Sequence, residues 1–207
     1  LEPFSIIPAI AAVTQKLEFS TSVYKLAPRQ AVTTAKFVTT VGVMTNNRFH
    51  FGVGVSPWYE DFLATGERWE KRGKRMDEQI DILKGLMDGE YFTYKGEFYE
   101  FPVPGWKETN RFLMPLEKEY HSEGGEYTGM YIHPRPYQDP HPPVWLMSNS
   151  PHTYKLAAER GFKVIGMSSP PSKLVSCWDA YADAESHDGS IHQRGDGVGV
   201  CAVIYVA

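Results

Sequence analysis

Apolar positions along this chain alternate between two periods. Over residues 4–14, Ile6, Ile7, Ile10, Ala11 and Val13 fall on or near one face of a helix. Residues 17–23 read as a strand, and residues 31–41 return to helical spacing through Ala31, Ala35 and Val38. Residues 48–55 form a second strand that ends in glycine-punctuated backbone. Ser56-Pro57 places a capping hydroxyl before a proline, which predicts a helix start and a short turn to Gly66. Trp69, Met76, Ile80, Leu83 and Met87 are separated by 7, 4, 3 and 4 residues, one buried stripe on a long helix. Residues 91–101 alternate about Lys95-Gly96 and predict a hairpin. Further strands are expected at 144–147, 163–166 and 198–206. Between them lie helices at 153–160, closed by Gly161, and at 173–184, amphipathic through Leu174, Val175, Trp178 and Tyr181.

Helices and strands thus alternate, which means βα units and a parallel sheet. The strands are apolar at nearly every residue, as expected of strands covered on both faces. Five main strands are predicted. On pattern alone a doubly wound sheet and part of a (β/α)8 barrel both remain open. A whole barrel takes about 250 residues, against 207 here. Residues 102–143 are rich in proline, glycine and charge and show no periodicity, so they read as a lid, an insertion or a disordered segment.

Composition narrows the function classes. The chain is 42% hydrophobic and 22% charged, ordinary for a globular protein. No apolar run approaches the roughly 18 residues that span a bilayer, so no membrane partner is expected. The 21 basic and 25 acidic residues give a net charge of -4. The basic cluster Lys71-Arg72-Gly73-Lys74-Arg75 is interleaved with Glu67, Glu70, Asp77 and Glu78, a mixed-charge helix surface rather than a nucleic-acid site. Cys177 and Cys201 form no CxxC, and the histidines form no HExxH, which argues against a disulfide scaffold and a metal site. Two unframed cysteines fit a reducing, cytoplasmic setting. The chain opens Leu1-Glu2-Pro3 without a signal peptide and stops at Val206-Ala207 straight after an apolar run, so both ends read as cut.

Four segments in order carry a resemblance. The first is Glu2-Pro3 through Ala11-Ala12-Val13-Thr14 and on to Leu17–Val23. The second is Asn47 to Val55. The third is Glu70 to Glu78, followed by Gly96-Glu97-Phe98-Tyr99. The fourth is Pro134 to Trp145, leading into Ala157-Ala158-Glu159-Arg160-Gly161. Together they resemble the bacterial-luciferase-like family of flavin- and deazaflavin (F420)-dependent oxidoreductases. That resemblance implies a (β/α)8 TIM-barrel fold of which this chain carries the third to seventh strands. The first two βα units would precede Leu1, and the end of the barrel would follow Ala207. Open sheet edges must be covered or paired, so a chain with no further residues is expected to form a homo-oligomer through them. The resemblance makes residues 102–143 a variable substrate lid, aromatic through Trp106, Phe112, Tyr120, Tyr127 and Tyr131 and suited to a bulky, weakly polar substrate.

The same resemblance implies cofactor contacts. Ser150 and Thr153 match positions that hold the cofactor phosphate. From local sequence alone Ser150 reads first as a simple N-cap, since any helix start attracts anions, and it is the resemblance that puts the phosphate reading ahead. Ser22-Val23 matches a non-proline cis peptide behind the isoalloxazine ring. Gly52-Val53-Gly54-Val55 leaves one strand face bare, either for a flat ring or for a layer of small residues, with Gly54 and Val55 as candidates. Bacterial luciferase has an arginine matching Val55, and some F420-dependent members have a catalytic glutamate where this chain has Pro57. Met167 and Ser168 match ring-contacting positions at the next strand end. Arg72 reads as a surface partner of Glu67 or Asp77, and His50 as packed or hydrogen-bonded. The catalytic histidine of bacterial luciferase belongs to a unit that this chain does not contain, so no catalytic residue is named. The expected activity is that of a flavin-dependent monooxygenase or oxidoreductase using FMN, with reduced flavin or NAD(P)H as electron source, on a small organic substrate. The alternatives are an F420-dependent reductase or dehydrogenase and a shortened, non-catalytic flavin-binding protein.

Overall fold

The computed structural model describes residues 2–88, 91–109, 121–122, 124–167, 169–186 and 188–201. The chain divides into two compact units, one of Leu1–Gln15, Leu26–Asn47 and Val55–Pro142, the other of Lys16–Lys25, Arg48–Gly54 and Pro143–Ala207.

The first unit is mainly helical. Helix α1 (Pro3–Ala11) starts where the Glu2 carboxylate accepts the Ser5 N–H at 2.9 Å, with proline in the first turn. It buries Phe4, Ile7 and Ala11, while Ile6 and Ile10 stay exposed, so its apolar residues are split between two faces. α1 packs on α2 (Ala31–Met44), and α2 packs on α4 (Arg72–Met87). In α4 the expected stripe Met76, Ile80, Leu83 and Met87 is buried. Trp69 lies ahead of the helix and takes the edge of the Phe62 ring at 5.1 Å between centroids.

Two local expectations fail in this unit. Ser56 does not cap a helix: α3 (Tyr59–Thr65) begins after Trp58. Ser56 is buried with φ +72°, and its hydroxyl accepts the Trp58 N–H at 3.2 Å and donates to the Asp61 carboxylate at 2.5 Å. The side chain closes a tight turn instead of starting a helix. The hairpin forms as expected, but β4 (Tyr94–Lys95) and β5 (Glu100–Phe101) pair Lys95 with Glu100, so its turn centres on Glu97-Phe98. The cause sits on α4. The Glu78 carboxylate accepts the backbone N–H groups of Glu97, Phe98 and Tyr99 at 2.6, 3.0 and 3.1 Å. In the expected lid, Phe92 and Met130 exchange backbone hydrogen bonds of 3.0 Å, and Lys107 bridges Glu126. Phe112 and Tyr120 lie outside the described residues.

The second unit is a parallel sheet with two helices. Its strands run in the order β1 (Phe19–Ser20), β3 (Phe49–Gly54), β6 (Val144–Met147), β7 (Lys163–Met167) and β8 (Val198–Cys201), with β2 (Tyr24–Lys25) also paired to β3. Every one of these pairings is parallel. The strand expected over 17–23 is two short strands, and the Ser22–Val23 peptide bond between them is cis. Helix α5 (Pro151–Glu159) packs on α6 (Pro171–Ala182). α6 buries Cys177 and Tyr181, whereas Cys201 on β8 is exposed; both cysteines are free.

The strands are not covered alike on both faces. Phe49, Phe51, Val53, Val144, Leu146 and Val164 share one face and are each at most 5% exposed. The register places His50, Gly52 and Gly54 with Trp145, Met147, Lys163, Ile165 and Met167 on the other face, whose larger side chains are half-buried or exposed. The alternation was hidden in the sequence because Trp, Met and Ile on the open face are as apolar as the residues on the sealed one.

Candidate functional site

The parallel register brings the carboxyl ends of β2, β3, β6 and β7 to one edge of the sheet, and the second unit's candidate residues gather there. Parallel α/β sheets bind ligands at that edge, where the segments leaving the strands meet.

The segment after β6 is built by one backbone bond and two side chain–backbone bonds. Ser148 donates its N–H to the Ile165 carbonyl at 3.1 Å, and its hydroxyl accepts the Ser150 N–H at 3.1 Å. Asn149 accepts the Met167 N–H on Oδ1 at 2.9 Å. Ser150 is the N-cap of α5, with φ -110° and ψ 125°, but its side chain makes no capping bond. Pro151 brings no N–H. Among the described residues, the backbone N–H groups of His152 and Thr153 and the hydroxyls of Ser150 and Thr153 are left without hydrogen-bond partners. Ser150 and His152 are exposed and Thr153 is half-buried. Four donors at the positive end of a nine-residue helix, with no acidic residue in its first turn, suit a phosphate.

Ser22 and Val23 lie on the loop between β1 and β2, across β3. Thr21, 4% exposed, anchors this loop: its hydroxyl donates to the Gly52 carbonyl at 2.7 Å. A Cβ on Gly52 would collide with the Thr21 carbonyl oxygen, and one on Gly54 would sit 2.9 Å from Val23 Cγ2. The bare face expected to admit a flat ring is thus occupied at Gly52 and Gly54 by the chain's own bulge. The glycines hold the bulge down, and the half-buried Val23 is what remains to face a ligand. Val55 follows Gly54 in the chain and belongs to the first unit, half-buried. Met167, at the end of β7, is 52% exposed. Ser168 lies outside the described residues. The site brings together Ser22, Val23, Gly54, Ser150, Thr153 and Met167 on one unit; it leaves Val55 on the other.

Sequence reasoning missed Thr21, Ser148, Asn149 and Tyr154. Ser150 and Thr153 were singled out by the resemblance, which says nothing of the neighbours that tie the turn to β7. Tyr154 is fully buried, its hydroxyl has no partner, and burial, helped by the Cys177 thiol, pushes its pKa up to about 12. The other two residues weighed from sequence have structural partners. His50 Nε2 meets the Glu18 carboxylate at 3.2 Å, and its Nδ1 accepts the Trp145 indole N–H at 3.4 Å. Arg72 stacks over the Trp69 ring, 3.6 Å from its centroid, and it is Arg75 that pairs with Glu67 at 3.6 Å.

Residues 1–194 match the family model for luciferase-like monooxygenases. The chain belongs to the luciferase-like monooxygenase family. An uncharacterized protein of Mycobacterium tuberculosis is 43% identical over 102 residues, which cover 49% of this chain and 35% of that protein. The FMNH(2)-dependent dimethylsulfone monooxygenase of Pseudomonas putida is 28% identical over 153 residues, 72% of this chain and 34% of the enzyme. Among solved structures, the monooxygenase RslO1 of Streptomyces bottropensis superposes with a TM-score of 0.74 at 18% identity, covering 96% of this chain and 53% of that one. An F420-dependent secondary alcohol dehydrogenase in complex with an F420-acetone adduct gives a TM-score of 0.65 at 16% identity, over 90% of this chain and 51% of that one. The chain therefore spans about half the length of these solved relatives and a third of the named ones. The fold class read from the sequence stands: an α/β chain carrying part of the strand set of a luciferase-like barrel. Among the described residues, no helix is long and apolar enough to cross a membrane.

Proposed function

We propose that the luciferase-like chain binds FMN at the carboxyl edge of its parallel sheet and serves a flavin-dependent monooxygenase or oxidoreductase acting on a small organic substrate. The observation that carries this reading is the unengaged donor set at the start of α5. The His152 and Thr153 amides and the Ser150 and Thr153 hydroxyls hold the phosphate, each bond to a charged group contributing roughly 1.5–3 kcal/mol. Val23, Met147 and Ile165 supply an apolar surface beside them that excludes water from the ring, and Met167 lies at its rim. When bound, the flavin would supply the redox chemistry, its two electrons brought in as already reduced flavin or delivered to it by NAD(P)H. The residues of this chain bind and orient it. Residues 102–143 act as the substrate lid, and limited proteolysis near residues 104–109 is expected to slow when flavin is present.

FMN is preferred over F420 because Pro57, at the place where F420-dependent relatives can carry a glutamate, offers no group to move a proton. An absorbance titration with FMN and with F420 separates these readings. Loss of turnover with retained flavin binding would instead mark a non-catalytic flavin carrier. The Ser150→Ala/Thr153→Ala double variant is expected to weaken FMN binding roughly 10- to 100-fold. Wild-type affinity in that variant would refute the phosphate site.

A further inference from the structure

The Asn149–Met167 bond joins two parts of the candidate site that the sequence presents as separate. Asn149 stands in the turn that opens α5, and Met167 is the last residue of β7. The 2.9 Å bond from the Met167 N–H can end only on the carboxamide oxygen, because an NH₂ group accepts nothing there. The orientation of the amide is thus fixed by its partner. The corner around it is close-packed. A Cβ on Gly166 would lie 2.7 Å from the Tyr154 hydroxyl and 3.5 Å from Asn149 Oδ1, so residue 166 is held to glycine and the Asn149 side chain has a floor beneath it. Ser148 supplies a second tie by its N–H to Ile165, but this is a backbone bond that any residue makes. Asn149 is the side chain that couples the donor turn to the strand end.

We propose that Asn149 is a positioning residue, holding the 148–150 turn against the end of β7 so that the donors of Ser150, His152 and Thr153 are preorganised for an anion. This rests on the FMN reading above. It touches neither the phosphate nor the ring itself; its effect passes through the turn and through Met167. A loose turn still offers the same donors, but the anion must then order them on binding, at a cost in affinity.

The test compares FMN with riboflavin, which has the same ring and no phosphate, in wild type and in Asn149→Ala. Wild type is expected to prefer FMN. In Asn149→Ala the FMN dissociation constant rises about 3- to 10-fold, riboflavin affinity stays within about twofold, and the Met167 amide exchanges its proton faster. A merely structural role would weaken both ligands alike. An Asn149→Ala protein that keeps the wild-type ratio of affinities overturns the proposal, whatever its melting temperature. Should that variant fail to fold, hydrogen exchange on wild type decides. FMN must slow exchange at Met167 more than riboflavin does; equal effects of the two ligands overturn the coupling. A wild type with no preference for FMN refutes the phosphate reading first and removes this proposal with it.

Discussion

Gly52 and Gly73 are the same residue type in opposite circumstances. A methyl group on Gly52 runs into the Thr21 carbonyl, a backbone atom that cannot swing aside, whereas nothing lies within 4 Å of the corresponding position on Gly73 in α4. Gly52→Ala is expected to destabilise the protein by about 3 kcal/mol or more through forced backbone movement. Gly73→Ala is expected to stabilise it by about 0.5 kcal/mol, since alanine loses less conformational freedom in a helix. Denaturant titration of both variants checks the pair. Tyr154 gives a second contrast. Its buried hydroxyl has no partner, so Tyr154→Phe removes an unsatisfied polar group and is expected to leave stability unchanged or raise it by about 1 kcal/mol. None of these three outcomes was visible in the sequence. The helical glycine and the strand glycine look alike on a page of letters, and only the position of the Thr21 bulge tells them apart.

At the scale of elements, the most consequential tie is between α4 and the hairpin. Three consecutive amides converge on one carboxylate at Glu78, which explains why Glu78 and the run Gly96-Glu97-Phe98-Tyr99 occur together in the third segment of the family resemblance. Glu78→Ala is expected to cost about 2 kcal/mol by leaving these donors without their acceptor, and hydrogen exchange should accelerate at residues 97–99 more than at the α4 amides. Existence and type of the elements were legible because the helical period of about three and a half is written in side-chain polarity, while the main strands read as short apolar runs between turn residues. Their ends were less so. Ser56-Pro57 looked like a helix start, but a buried Asp61 contact and a left-handed backbone took the hydroxyl for a turn. The 17–23 strand broke where the chain crosses over Gly52 and Gly54, a contact between residues some 30 positions apart that no local pattern records.

At the scale of the whole molecule, three phenols resist ionisation. Burial pushes both Tyr99 and Tyr154 up to about 12, and Tyr181 also upward. In the unfolded chain these groups ionise near 10. As pH rises from about 10 towards 12 the unfolded chain therefore gives up protons that the folded one keeps, and the stability these phenols contribute falls across that window. The urea midpoint should drop between pH 10 and pH 11, with a smaller drop in Tyr154→Phe. At this scale the sequence was most informative about kinship. The four ordered segments pointed to the luciferase-like family, whose model matches residues 1–194. The cofactor-edge geometry was legible only in outline, since the side chains that tie it together bond across strands.

The two free sulfurs differ in a way that can be put to use. Cys201 is in contact with water on β8, while Cys177 is 1% exposed on α6 and burial pushes its thiol pKa upward. A thiol-specific reagent will modify the first at once and the second only when α6 lifts from its bed. The natural chain thus carries a fast channel that counts molecules and a slow channel that clocks the breathing of the helix pair, with no label to be engineered.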